Sequence, residues 1–146
     1  MKDNQQIRYA TVSDIGLKRT KNEDAYIIEE NDDNSRQLDY GGMLFAVADG
    51  IGGHACGEVA SMMACRGMSG FIYKINTKPK VLLRYLVDRF HAIEDQISVC
   101  STQNKNCAHM GTTLSTIVIT GRTALIAHVG DSRIYRMRNG RLTLLT

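Results

Sequence analysis

Tryptophan is absent from this chain, proline occurs once, at Pro79, and aromatic residues make up only 6% of it. With so little proline, and with no low-complexity tract or internal repeat, nothing reads as a linker, so residues 1–146 are expected to form part of one domain. No apolar run approaches the ~20 residues of a membrane span. The Met1-Lys2-Asp3-Asn4 start has no apolar segment behind it, so no signal peptide is expected and a cytoplasmic location follows by default. A long basic tract is also missing: the net charge is +3, with Lys and Arg scattered among acids, which gives no call for nucleic acid. Cys56, Cys65, Cys100 and Cys107 form no C-x-x-C pair and have no matched histidine spacing. That argues against a zinc site and for reduced, structural thiols.

What is present is an average hydrophobic content of 43%, enough for a real core, and a clear order of patterns. Ile7–Ser13, Ala25–Glu29 and Gly42–Ala48 read as strands, with residues 30–40 as a polar loop. From Gly57 the period changes to helical, with Ala60, Ala64 and Gly67 leading to Phe71 as a narrow stripe suited to close packing on a sheet. Pro79 suits a first helical turn, and Leu83, Leu86, Phe90, Ile93, Ile97 and Cys100 trace one helical face after it. Strands return at Thr112–Thr120, Thr123–Val129, Ser132–Arg138 and Arg141–Leu145, separated by Gly121-Arg122 and Asn139-Gly140 turns. Ile117-Val118-Ile119 and Ala124-Leu125-Ile126-Ala127 are apolar on both faces although short turns make them antiparallel, so each side of that sheet should be covered. Two antiparallel sheets face to face, flanked by helices, satisfy this, and the expected class is α+β.

The chemistry concentrates in Val47-Ala48-Asp49-Gly50-Ile51-Gly52-Gly53-His54. An apolar strand ends there at an acid, and the glycines let the backbone carbonyl of Gly50 turn in beside the Asp49 carboxylate, two oxygens that suit a hard divalent cation. Two other readings compete. Gly50 to Ala55 fits a G-x-G-x-x-A dinucleotide pattern, but no Asp or Glu lies between Glu58 and Asp88 to hold a ribose. Alternatively Asp49 caps a helix in a plain glycine turn. Three further segments gather polar groups at strand ends: Arg19 with Glu23 and Asp24, the Met110-Gly111-Thr112-Thr113 opening of a strand, and Asp131 in His128-Val-Gly-Asp-Ser-Arg133. A charged loop, a loop-to-strand transition and an Asp-Ser turn are their respective plain readings.

Taken together and in order, R-x-x-N-E-D, V-A-D-G-I-G-G-H-x-x-G-E-x-A-S, M-G-T-T-L and H-V-G-D-S-R-I-Y resemble the metal-dependent serine/threonine phosphatases of the PP2C type in their bacterial form, from Ile7 to Leu145. The resemblance implies a four-layer αββα sandwich of two antiparallel sheets flanked by helices. It implies two Mn or Mg ions, with a third, weaker one, and hydrolysis of phosphoserine and phosphothreonine proteins, a cognate Ser/Thr kinase among them, by a monomer. By the same resemblance Asp49 would bridge the two ions, and Glu23 and the Gly50 carbonyl would bind one of them. Asp24 would orient the attacking water, Arg19 would hold the phosphate, and Asp131 would help bind the third ion. His54 would protonate the leaving oxygen or, on the plainer reading, only hydrogen-bond locally. Family domains are longer, and further aspartates from their second half complete the metal site. The chain is therefore expected to be an N-terminal portion, incomplete at its C-terminus, and a non-catalytic pseudophosphatase-like binding module stands as the alternative.

Overall fold

A computed structural model describes residues 7–30, 42–51, 56–71 and 78–146. Its elements are β1 (Asp24–Glu30), β2 (Gly42–Ile51), α1 (Gly57–Met68), α2 (Pro79–Gln103), β3 (Gly111–Thr112), β4 (Leu114–Thr120), β5 (Thr123–Val129), β6 (Tyr135–Arg138) and β7 (Arg141–Leu144). The order β1-β2-β4-β5 forms one antiparallel sheet, with the two residues of β3 paired to the end of β2, and β6-β7 form a second, two-stranded antiparallel sheet. The α+β class and the two antiparallel sheets of the sandwich are as expected.

Alternation decides which side of the large sheet is closed. Leu44, Ala46 and Ala48 point to one face, and their register places Thr116 beside Ala46 and Val118 beside Leu44. On that face α1 and α2 bury a core of Leu44, Ala46, Ala64, Met68, Phe71, Leu82, Leu86 and Ile93 with Leu114 and Val118. The small stripe of α1 works as expected: a side chain on Gly67 would run into Ile93 of α2, so the glycine sets how closely the helices approach. The opposite face carries Asp24, Tyr26, Val47 and Asp49, of which Tyr26 and Val47 remain half exposed.

Several boundaries differ from the sequence expectation. Ile7–Ser13 forms no strand; it is exposed and touches the sheet through an edge-on contact of Tyr9 with Phe45, ring centres 5.6 Å apart. An extended segment needs a partner edge to become a strand, and this one has none among the described residues. β2 does not stop at Asp49 but continues to Ile51, because Gly50 pairs with Thr112 and Ile51 with Gly111. The expected strand at Thr112–Thr120 is broken at Thr113, and that at Ser132–Arg138 begins only at Tyr135. On α2 it is Leu82, not Leu83, that is buried. Leu83 instead lines a cavity of about 780 Å³ between α2 and the edge strand β5, with Val87, Phe90 and Val129. Cys56 and Cys107 are joined in a disulfide rather than reduced, because the fold brings the start of α1 against the 3-10 turn Lys105–Cys107, with Cα atoms 5.3 Å apart.

Candidate metal centre

The acids converge at one end of the large sheet. Asp24 opens β1 and lies directly opposite Asp49 of β2, so both carboxylates stand on the same open face as a cross-strand pair of like charge. Asp131, at the break after β5, faces them as well. Burial, and then the charges of Asp24 and Asp131, push the Asp49 carboxyl above the usual aspartate value, against the opposing pull of Arg19. A sheet that sets like charges opposite one another gains from a cation between them.

Glu23 and Gly50 form a second pair of oxygens. The Gly50 N–H donates to the Glu23 carbonyl at 3.1 Å, which locks the two backbones together. A Cβ on Gly57, at the start of α1, would sit 2.9 Å from Glu23 Cδ, 3.0 Å from Glu23 Oε1 and 3.1 Å from the Gly50 carbonyl oxygen. The absent side chain thus leaves a small hollow bordered by a carboxylate and a carbonyl, the oxygen donors that Mg or Mn accept. Arg19 pairs loosely with Glu23 at 3.8 Å and is 72% exposed, so its guanidinium faces solvent at the rim. Lys21 ties the same loop to α1 through Glu58 at 3.2 Å.

Thr112 and Thr113 hold Asp49 in place, a role the sequence motif did not reveal. The Thr113 N–H and the Thr112 hydroxyl both donate to the Asp49 carbonyl at 2.9 Å, while the Asp49 N–H donates to Thr113 Oγ1 at 3.0 Å. Thr113 Oγ1 also meets Ser132 Oγ at 2.8 Å, next to Asp131. One buried threonine therefore registers the Asp49 end of β2 against the Asp131 turn. Gly130 permits this, with φ +106 and a Cβ position that would collide with Thr113. His128 braces the same turn: its Nε2 meets the Gly130 carbonyl at 2.9 Å, which can only accept, so Nδ1 is left to accept from Ser115 Oγ at 2.9 Å.

The structure thus gathers Arg19, Glu23, Asp24, Asp49, Gly50 and Asp131 at one sheet end; His54 lies outside the described residues. The oxygen set fits divalent cations but is partial, since among the described residues no three His, Cys, Asp or Glu side chains close into a cage by themselves. The large cavity beside α2 is a different place, with Glu94 its one acid. No helix among the described residues is long and apolar enough to cross a membrane.

Comparison with known proteins agrees with this arrangement. The sequence profile of the protein phosphatase 2C family matches residues 22–146. The serine/threonine protein phosphatase PstP of Mycobacterium tuberculosis is 36% identical over 141 residues, 96% of this chain and 24% of PstP. The serine/threonine phosphatase stp of Listeria welshimeri is 34% identical over 137 residues, 92% of this chain and 51% of that protein. In three dimensions the chain resembles the catalytic domain of PstP solved with two manganese ions, with a TM-score of 0.79 at 34% identity, covering 95% of this chain and 54% of that one. The chain spans about half or less of the length of these relatives. All are phosphatases by name, which lends the binding-module alternative no support.

Proposed function

Because the chain belongs to the protein phosphatase 2C family, we propose that residues 1–146 are the N-terminal part of a metal-dependent phosphatase domain acting on phosphoserine and phosphothreonine proteins. The observation that carries this reading is the Asp24–Asp49 cross-strand pair, with Asp131 adding to the charge on Asp49. Asp49 would hold two manganese or magnesium ions jointly, Glu23 and the Gly50 carbonyl would hold one of them, and Asp131 would serve a third. Such ions neutralise the charge of a phosphomonoester and lower the pKa of the attacking water, so no protein nucleophile is needed.

The chain's own residues would do the rest. Asp24, beside Asp49, accepts a hydrogen bond from the water and aims it. Arg19, exposed at the rim, offers a planar fork to two phosphate oxygens. His54 gives a proton to the departing seryl or threonyl oxygen. Substrates would include a cognate Ser/Thr kinase, and the enzyme would act as a cytoplasmic monomer.

The test is manganese-dependent hydrolysis of a phosphothreonine peptide by the intact protein. Asp49→Ala is expected to abolish it, with a loss of about 10³-fold or more, as removal of a shared ligand should. Unchanged turnover in that variant would sink the reading.

A further inference from the structure

Three of the four cysteines meet at one place. Cys56 is the N-cap of α1 and takes a left-handed backbone, φ 85, and its sulfur is bonded to that of Cys107 across 51 residues of sequence. Both are buried with Ala60 and Met110, and Cys100 of α2, a free thiol at intermediate exposure, packs against this cluster. The fourth, Cys65, sits in the main core, where burial pushes its thiol up to about 11 and leaves it inert.

The bridge joins two arms that end on the same residue. On one side, Cys56 is followed directly by Gly57, where a Cβ would meet the Gly50 carbonyl and the Glu23 carboxylate. On the other, the Cys107 carbonyl accepts from the Met110 N–H at 3.1 Å, and Met110 leads into β3, which pairs with Gly50 and Ile51. The Cys107 carbonyl also accepts from Ser101 Oγ at 3.1 Å, which fixes this turn to the residue beside Cys100.

We propose that Cys56, Cys107 and Cys100 form a thiol–disulfide exchange site for a dithiol reductant, and that opening the Cys56–Cys107 bridge loosens both arms on Gly50 and weakens divalent-metal binding there. The coupling to metal rests on the reading of the acids given above; the exchange chemistry does not. Because both bridge cysteines are buried, Cys100 is the entry point. Its thiolate attacks one bridge sulfur, a new disulfide to Cys100 forms, and the displaced cysteine leaves as a thiolate that takes up the proton Cys100 gave away, with no net oxidation. The incoming dithiol then attacks the half-exposed Cys100 disulfide and closes on itself as a cyclic disulfide. Two electrons and two protons pass to the protein, which ends with Cys56, Cys107 and Cys100 all as thiols.

The intact protein, purified without reductant, is alkylated with iodoacetamide, digested and mapped by mass spectrometry. A linked Cys56–Cys107 peptide and an alkylated Cys100 are expected. Brief dithiothreitol treatment should give a transient linked peptide containing Cys100, and Cys100→Ser should lack it and slow reduction of the bridge by on the order of tenfold. Manganese titration by calorimetry should show affinity about tenfold weaker in the reduced protein, the size expected when support behind metal ligands is lost. Cys107→Ser combined with Cys100→Ser, which leaves Cys56 no partner, should match the reduced protein whatever the conditions. Alkylated Cys56 and Cys107 in the unreduced protein, or an unchanged rate in Cys100→Ser, would overturn the exchange site. Equal manganese affinity in both states would overturn the coupling. Absence of manganese binding in both states, with the transient Cys100-linked peptide present, would overturn the metal reading and the coupling together while supporting the exchange site.

Discussion

The two faces of the large sheet share the same strands and differ in almost everything else. Toward the helices β2 presents Leu44, Ala46 and Ala48, all essentially inaccessible, and the packing there is close enough that Gly67 has no room for a methyl group. Toward the other side the same strand presents Val47, half exposed, and Asp49, held against Asp24 in a like-charge pair. One face is made of groups that want to leave water. The other ends in groups that repel each other until something positive arrives. A strand's period of two lets one ten-residue segment serve both purposes, since each neighbour along the chain belongs to the opposite face.

If that contrast is correct, equal changes on the two faces have unequal costs. Leu44→Ala, which empties a fully buried site, should cost about 3 kcal/mol or more in urea denaturation. Val47→Thr, three residues on, keeps the branched shape and should stay within about 0.5 kcal/mol. A cost above ~1.5 kcal/mol for Val47→Thr would break the comparison, because it would mean the second face is closed as well.

The next largest effect tests the junction between the faces. Thr113 is buried, yet its hydroxyl serves the Asp49 N–H and Ser132 at once. Thr113→Val keeps the volume and leaves the Asp49 N–H without its acceptor, which should cost about 1–2 kcal/mol. Thr113→Ser should restore most of it. Amide hydrogen exchange read at Asp49 checks this locally: faster exchange in the valine variant alone is the expected result, and equal exchange in all three proteins would show that Thr113 does not hold the Asp49 backbone.

The closed face was the more legible of the two in the sequence. Ala60, Ala64 and Gly67 spaced along α1, Pro79 at the start of α2, and Asn139-Gly140 with φ of 51° and 74° at the β6–β7 turn are local signals, and each stands where its local chemistry puts it. Asp49, Glu23 and Asp24 were legible as a group only through ordered motifs, because charge alone at a strand end reads equally well as a turn. What stayed hidden depends on distance in sequence. Nothing near Ile7–Ser13 says that this segment finds no edge to pair with among the described residues. The Cys56–Cys107 bridge joins residues 51 apart with no spacing rule to announce it. Leu82 rather than Leu83 takes the buried position on α2, which a helical stripe read by itself does not determine. The Thr113–Ser132 contact likewise exists only once β4 and the turn after β5 are brought together.

The smallest expected effect sharpens the comparison most, because it asks whether the open face really carries uncompensated charge. Without metal, the Asp49 carboxyl titrates above its value in the unfolded chain, about 3.9, through slight burial and then Asp24 and Asp131. The folded state therefore binds this proton more tightly than the unfolded one. Its contribution is fully present below the unfolded value and is lost as pH rises through the raised folded value. Asp49 is exposed, so solvent screening keeps the loss below about 1 kcal/mol. Asp49→Asn removes the titration with little change of shape. Relative to the wild type, that variant should gain stability as pH rises from the unfolded value through the raised folded one and hold the gain above it, as followed by urea midpoints in the presence of a chelator. Manganese should then reverse the order, since binding to the folded state stabilises the wild type in proportion to its saturation and does little for the asparagine variant. A wild type whose stability runs parallel to the variant across that pH range would mean that the acids already have their counter-charge within the chain, and the two faces would then differ in exposure alone.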